Sequence, residues 1–144
     1  MKECKSSSFD AVVCRLALPY TDNKQTLSEI ARILKPGGIL FLKIHHARYY
    51  LSKAWNAVPN RSILSLIHAL RVLVAGFIYH AVGKQIRIRL ISPETFQTEW
   101  LLRRELSKLS LSIERELPDS NPLTPSFLVR SSRGETDTLT SGPK

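Results

Sequence analysis

The sequence predicts an α/β fold built on a parallel pair of strands. Residues 9–14 form a short apolar run that does not alternate with polar residues, which is typical of a strand covered on both faces. A capped helix follows, and a second apolar run occupies residues 39–44. A strand, a helix and a strand in direct succession form a βαβ unit, in which the strands are parallel and the connection is right-handed.

The helix between these strands has recognisable ends and one apolar face. Asp22 is placed to cap its N-terminus, with Gln25 as the capping-box partner. Its apolar face, with the spacing of one helical stripe, consists of Leu27, Ile30, Ala31 and Leu34. We expect Lys35 to lie in the last turn and Pro36-Gly37-Gly38 to end the helix.

The middle of the chain, residues 46–91, is predicted to be mainly helical. One helix spans residues 47–57, and a second, apolar almost all round, spans residues 62–82. The second is long enough to cross a bilayer, but His68, Arg71 and His80 are costly in hydrocarbon. Three interpretations stay open: a buried or capping helix, a helix on a membrane surface or over a substrate, and a membrane span.

The C-terminal part is predicted to contain a helix and a hairpin. Residues 86–90 alternate like an edge strand, and Ser92-Pro93-Glu94 is a strong helix start that leads to a helix ending near Lys108. Residues 109–114 and 126–130 are strand candidates that would pair as an antiparallel hairpin. We expect residues 1–8 to be a short leader, residues 9–131 one domain, and the polar residues 132–144 a disordered tail.

Composition restricts the function classes. The 144 residues carry 21 Lys and Arg against 12 Asp and Glu, a net charge of +9 that permits an anionic partner. The basic residues are spread out and not interleaved with aromatic residues, so nucleic acid is not the expected partner. Cys4 and Cys14 cannot form a multi-disulfide scaffold, and no Cys/His spacing predicts a metal site. The N-terminus has no secretory pattern, which predicts a cytoplasmic location.

Two motifs carry a family resemblance. Residues 9–15 (FDAVVCR), followed by L-x-E-I-A-R-I-L-K-P-G-G-I-L over residues 27–40, resemble the second half of a class I S-adenosylmethionine-dependent methyltransferase of the type 11-like, small-molecule group. The resemblance covers residues 9–131, with a longer than usual helical insert, or cap, at 46–91. It implies a partial doubly wound, Rossmann-like sheet whose last strands form a hairpin. It also implies S-adenosylmethionine as cofactor and methyl transfer to a small or lipophilic acceptor.

The first half of that fold is not found in the sequence. The family holds its cofactor with a Gly-rich turn after the first strand and an acidic residue at the end of the second, whereas all six glycines here lie at Gly37 or later. We therefore expect a truncated chain, or one completed by a partner half, with an unpaired edge on the strand at residues 9–14. The alternative is a non-catalytic fragment that binds a partner or an anionic membrane surface, so enzymatic activity of the chain alone is an open question.

Candidate site residues follow the two parallel strands, because open parallel sheets bind ligands at the carboxyl ends of their strands. By resemblance, Cys14, Arg15 and Leu16 border the methionine end of the cofactor. Residues expected to line a substrate pocket are Leu18, Tyr20, Tyr49 and Tyr50. His45 and His46 are weak candidates for a general base. As neighbours on a strand they face opposite sides and cannot chelate one metal ion together.

Overall fold

The computed structural model describes residues 4–83 and 94–133. Within these ranges the elements in chain order are β1 (Phe9–Arg15), α1 (Asn23–Ile33), β2 (Leu34–Lys43), α2 (Ala47–Ala57), α3 (Ile63–Val82), α4 (Glu99–Ser107), β3 (Leu111–Leu117) and β4 (Ser126–Ser131). A single 3-10 turn, Leu18–Tyr20, connects β1 to α1. The predicted α/β class is confirmed.

The four strands form one sheet in the order β1-β2-β4-β3. β1 and β2 are parallel, and β4 is antiparallel to both β2 and β3. The parallel pair and the terminal hairpin are therefore as predicted. β1 lies at the edge of this sheet, and its outer side is unpaired among the residues that the structure describes.

The boundary between α1 and β2 differs from the prediction. α1 ends at Ile33, and Leu34 is the first residue of β2, extended and fully buried, rather than the last residue of the helical stripe. The register between β1 and β2 shifts between the pairs Phe9–Leu34 and Ala11–Ile39, so the Lys35-Pro36-Gly37-Gly38 segment forms a bulge within the strand. A bulge tolerates proline, which cannot donate to the ladder, and Gly37 supplies the left-handed φ of +73°.

The core lies on one face of the sheet. Cys14, Leu42 and Phe127 point to this face and pack with residues of α1 and α4. The opposite face is open: Val13 is 72% exposed and Phe41 is 40% exposed. The expectation that residues 9–14 are covered on both faces is therefore wrong for the described chain, because α1 and α4 both pack on the same side.

The predicted start of α4 is also corrected. The helix begins at Glu99, and the side chain of Thr98 accepts from the backbone N–H of Leu101 as its cap. Gln97 forms a parallel bridge with His46 instead of entering a helix. The bridge holds the chain extended just before the helix, and Thr98 offers a better-placed cap. Ser92, Pro93, the strand predicted at 86–90 and nearly all of the predicted tail lie outside the described residues.

α2 and α3 match their predicted positions, and Gly83 ends α3 with a left-handed φ of +69°. α3 packs on the body of the protein through Ala69, Val72, Gly76 and Tyr79, all buried. Much of its remaining surface is apolar and exposed. By length and composition this helix could cross a membrane. The helix is thus neither a fully buried core helix nor a cap covered on all sides.

Candidate active site

The carboxyl ends of β1 and β2 meet at one edge of the sheet. The backbone N–H of Leu16 donates a 2.9 Å hydrogen bond to the carbonyl of Lys43, which joins the two strand ends. Leu16 adopts a left-handed φ of +55°, a conformation that costs energy for a residue other than glycine. The chain therefore makes a sharp, strained turn where the parallel strands end.

Cys14 and Arg15 project to opposite sides of this edge. Cys14 is buried in the core, and burial raises the pKa of its thiol. Arg15 is exposed and lines a groove of about 420 Å³ on the open face of the sheet. The Lys43–Asp119 ion pair borders the same groove, and hydrogen bonds from Lys43 and Ser126 hold the pKa of Asp119 far below its usual range.

An aromatic cluster surrounds His45, just beyond β2. The imidazole of His45 stacks on the ring of Tyr49 with centroids 4.5 Å apart, and the rings of Tyr20 and Tyr50 meet it edge-on. His45 is buried, and this desolvation lowers the pKa of its imidazole. The ring is therefore neutral at pH 7 and able to accept a proton.

A buried carboxylate lies behind this cluster. Glu94 is 6% exposed, and its Oε1 accepts a 2.7 Å hydrogen bond from the hydroxyl of Tyr50. Its Oε2 lies 3.2 Å from Nε2 of His68 and 3.9 Å from the guanidinium of Arg71, both on α3. Burial and the neighbouring Glu94 raise the pKa of Tyr50, so its hydroxyl remains a donor. Because that proton points to Glu94, the phenol oxygen is free to accept from Nδ1 of His45, which is 3.3 Å away.

His46 lies apart from this cluster. Its Nδ1 accepts from the backbone N–H of Arg48 and so caps the N-terminus of α2. It borders a different groove, together with Glu99 and Glu116. The two neighbouring histidines thus face different surroundings. In the part of the chain that the structure describes, no cluster of His, Cys, Asp or Glu could hold a metal ion.

The structure unites some predicted site residues and separates others. It gathers Tyr20, His45, Tyr49 and Tyr50 at the carboxyl edge of the parallel strands. Leu18 is fully buried in the hydrophobic core, so its observed contribution is to packing. The assigned roles in binding cofactor and substrate stay predictions.

Glu94 is the site residue that the sequence does not predict, because its pattern with Ser92 and Pro93 predicts a helix start instead. A signal was present in the charge pattern: residues 30–93 contain no Asp or Glu. His68 and Arg71 lie on the polar stripe of an otherwise apolar helix, and a cation that is partly buried there favours a nearby carboxylate. Glu94 is the first one downstream.

Comparisons with known proteins bear on this geometry. The sequence profile of the family described as "Methyltransferase domain" matches residues 2–42. The thiol S-methyltransferase TMT1B of Rattus norvegicus is 46% identical over 46 residues, which are 31% of this chain and 19% of that protein. The Homo sapiens protein of the same name is 39% identical over 56 residues, which are 38% of this chain and 23% of its own length.

Solved structures show the same fold. An S-adenosylmethionine-dependent methyltransferase from Mesorhizobium loti has a TM-score of 0.55 at 16% identity, covering 88% of this chain and 63% of that one. One from Methanosarcina mazei has a TM-score of 0.51 at 17% identity, covering 90% and 62%. The resemblance to class I S-adenosylmethionine-dependent methyltransferases is confirmed. The Rossmann-like fold is confirmed with it, and S-adenosylmethionine is the cofactor that this family implies.

The chain spans about a fifth of the length of the curated relatives that it matches. Among the described residues, no glycine lies where the family's cofactor turn would be. The turn after β1, Leu16–Tyr20, has no glycine, and Gly37 and Gly38 lie at the amino end of β2, away from the site edge. The described residues therefore lack the glycine turn with which the family holds its cofactor, and the role of Cys14, Arg15 and Leu16 beside the cofactor stays a prediction.

Proposed function

We propose that this chain is the acceptor-side part of a methyltransferase that transfers a methyl group from S-adenosylmethionine to a small or lipophilic acceptor. The observation that carries the proposal is the cluster of His45 with Tyr20, Tyr49 and Tyr50 at the carboxyl ends of the parallel strands. Open α/β sheets bind their ligands at that edge. Aromatic rings offer an apolar wall, and the imidazole offers one polar group within it.

His45 is the residue we assign to proton acceptance. S-adenosylmethionine, when bound, supplies the electrophilic methyl group. Within the chain, Glu94 orients the hydroxyl of Tyr50, and the Tyr50 oxygen accepts from Nδ1 of His45. This arrangement places the proton of the neutral ring on Nδ1 and leaves Nε2 as the basic nitrogen. The acceptor's proton would move to that Nε2 as its nucleophilic atom takes the methyl group.

A thiol is the acceptor to test first. The relatives with matching segments are thiol S-methyltransferases, and a thiol, with an ordinary pKa of about 8.5, is far more acidic than an alcohol, so a weak general base such as His45 suffices. The exposed apolar surface of α3, close to the same cluster through His68 and Arg71, favours a lipophilic acceptor.

A further polypeptide segment is part of the proposal. β1 has an unpaired edge in the described chain, and Val13 and Phe41 lie exposed on the open face beside it. We propose that a preceding segment, or a partner chain, adds strands to this edge, covers the face and supplies the glycine turn for the cofactor. A truncated chain without that segment would lack the main cofactor site.

We assign the protein to the cytoplasm, with peripheral contact to membranes.

The first test is the intact mass of the native protein in the cells that make it, together with methyl transfer. We expect a species well above 16.3 kDa that transfers labelled methyl from S-adenosylmethionine to a thiol such as 2-mercaptoethanol. In that protein His45→Gln should lower kcat about 100-fold, whereas the matched control His46→Gln should change it little. A native protein that neither binds the cofactor nor methylates any acceptor would refute the proposal.

A non-catalytic role is the second candidate, favoured by the missing glycine turn in the described residues. Titration calorimetry of the native protein, as isolated from the cells that make it, with S-adenosylmethionine separates the two. Micromolar affinity supports the enzyme. Native protein of 16.3 kDa that binds no cofactor supports the fragment.

A further inference from the structure

The outer face of α3 carries a continuous apolar stripe. The residues that form it are Ile63, Ile67, Leu70, Val74 and Phe77, each at least half exposed. They recur at intervals of four and three residues, so they lie on one side of the helix. The end of α2 adds two exposed apolar residues to this surface: Trp55, which is 80% exposed, and the C-cap Val58. We call these seven residues the outer helix face.

The opposite side of α3 is fixed to the body of the protein. His68 and Arg71 contact the buried Glu94, and Nε2 of His80 lies 2.8 Å from Oγ1 of Thr98. A Cβ on Gly76 would lie 2.3 Å from the ring of Phe96, which shows how closely the helix approaches. Polar and small residues therefore point inward and large apolar residues outward, the reverse of an ordinary surface helix.

The charge of the surrounding segment identifies what covers this face. Residues 30–93 contain ten Lys and Arg and no Asp or Glu. Four of the ten form ion pairs with acids outside this segment: Arg32, Lys35, Lys43 and Arg71. Arg48 and Arg61 are exposed near the two ends of α2. A cationic segment with an exposed apolar stripe is complementary to an anionic bilayer surface. The apolar stripe can bury among the acyl chains, and the basic side chains can contact the negative headgroups.

A second copy of the chain fits the face less well. Two copies would bring the same cationic segments together, which is repulsive. The positions that flank the stripe include Leu66, Leu73 and Ile78, so they lack the opposite charges that set the register of a helix pair.

We propose that the outer helix face docks the protein onto anionic membranes, with α3 lying flat in the interfacial region. The helix of 20 residues is about 30 Å long, and its inward contacts keep it parallel to the protein surface. Docking itself requires no cofactor, so its test is independent of the proposed methyl transfer.

The experiment measures binding of the full chain to vesicles by cosedimentation. The triple variant Ile67→Gln/Leu70→Gln/Phe77→Gln removes the centre of the outer helix face with good helix formers. Trp100→Gln, which replaces a similarly exposed apolar side chain on α4, is the matched control. We expect the wild-type chain to bind phosphatidylserine-containing vesicles at least tenfold more tightly than pure phosphatidylcholine vesicles. The affinity of the triple variant for phosphatidylserine-containing vesicles should be at least tenfold lower than that of the wild-type chain, and the affinity of the control should change less than twofold.

Tryptophan emission gives a second readout that does not depend on the triple variant's folding. The chain has two tryptophans, so Trp100→Phe leaves Trp55 as the only reporter. We expect a blue shift of Trp55 emission on adding anionic vesicles, and none of Trp100 emission in the Trp55→Phe chain. The proposal is overturned if the wild-type chain does not cosediment with anionic vesicles, or if Trp55 emission does not shift. It is equally overturned if the wild-type chain is a dimer that the triple variant converts to monomers, since a second copy would then cover the face.

Discussion

The hydroxyl of Tyr50 donates a 2.7 Å hydrogen bond to Oε1 of Glu94, a residue 44 positions further along the chain. The other oxygen of the same carboxylate faces His68 and Arg71. One buried acid thus connects α2, α3 and the segment that leads into α4. The same acid orients the hydroxyl that contacts His45, so packing of the helical insert and geometry of the candidate site depend on one group.

Tyr50→Phe should destabilise the fold by about 1–3 kcal/mol, because it removes a donor from a buried carboxylate. Tyr50 itself is fully buried, so water cannot easily replace the lost hydroxyl. Urea unfolding followed by circular dichroism measures the change. The control Tyr49→Phe keeps the ring stacked on His45 and should cost less than about 0.5 kcal/mol. Equal effects of the two substitutions would show that the Tyr50–Glu94 hydrogen bond makes no measurable contribution to the free energy of unfolding.

Gly76→Ala should destabilise the protein even though alanine favours helix. The gain in helix propensity is about 1 kcal/mol, but the new Cβ would lie 2.3 Å from the ring of Phe96 and force α3 outward. We expect a net loss of about 1–3 kcal/mol. In the Phe96→Ala background the clash is gone, so Gly76→Ala should become stabilising. A thermal-unfolding double-mutant cycle measures this coupling, and additive effects would contradict the close contact.

The elements whose ends depend on local chemistry were predictable from the sequence. Pro59 and Gly83 delimit α2 and α3, and the apolar runs at residues 9–14 and 39–44 gave the parallel pair. The end of α1 was not predictable in the same way. Leu34 has the spacing of the helical stripe, but pairing with Phe9 and the bulge at Gly37 draw it into β2. Tertiary pairing there overrides a local pattern.

The candidate site was predictable in its position but not in its chemistry. The rule that ligands bind at the carboxyl ends of parallel strands located Tyr20 and His45. Glu94 escaped because the Ser92-Pro93-Glu94 pattern is a strong helix start, whereas the helix begins at Glu99. The charge pattern points to Glu94 as the nearest acid for the basic residues of α3, but its burial and its bond to Tyr50 become visible only in three dimensions.

Stability should fall as the pH drops below about 6.5, before the carboxylates titrate. Burial holds the pKa of the imidazoles of His45 and His46 below their ordinary value of 6.5. The unfolded chain therefore binds protons more tightly than the folded chain in this range. The stability that comes from keeping these rings neutral is fully present above pH 6.5 and is lost as the pH falls towards the folded-state pKa values.

Urea unfolding between about pH 7.5 and pH 5.5 tests this dependence. His45→Gln should flatten the slope of unfolding free energy against pH, and His45→Gln/His46→Gln should flatten it further. His68→Gln is the comparison on α3, where the wild-type ring faces Glu94. A slope that is unchanged in the double variant would mean that neither ring titrates differently on folding.

The exposed edge of β1 should drive self-association of the chain. Val13 lies on the unpaired edge strand and is 72% exposed, and an apolar edge strand is a template for pairing with another chain. Val13→Glu places a charge there at a cost to folding of less than about 0.5 kcal/mol, and Arg15 and Lys43 border the same groove. We expect less oligomer in analytical ultracentrifugation and slower growth of light scattering on warming.

The same substitution distinguishes an exposed edge from a completed one. Trp100→Glu adds the same charge at an exposed apolar position on α4, away from the strand edge, and should leave self-association unchanged. If a longer native protein pairs further strands with β1 and covers the open face, Val13 is buried there, and Val13→Glu should lower its melting temperature by several degrees, since a buried unpaired charge is costly. Val13→Glu would then reduce self-association of the 144-residue chain and lower the melting temperature of the longer protein. Tolerance of Val13→Glu in both would mean that the open face beside β1 stays uncovered in the longer protein.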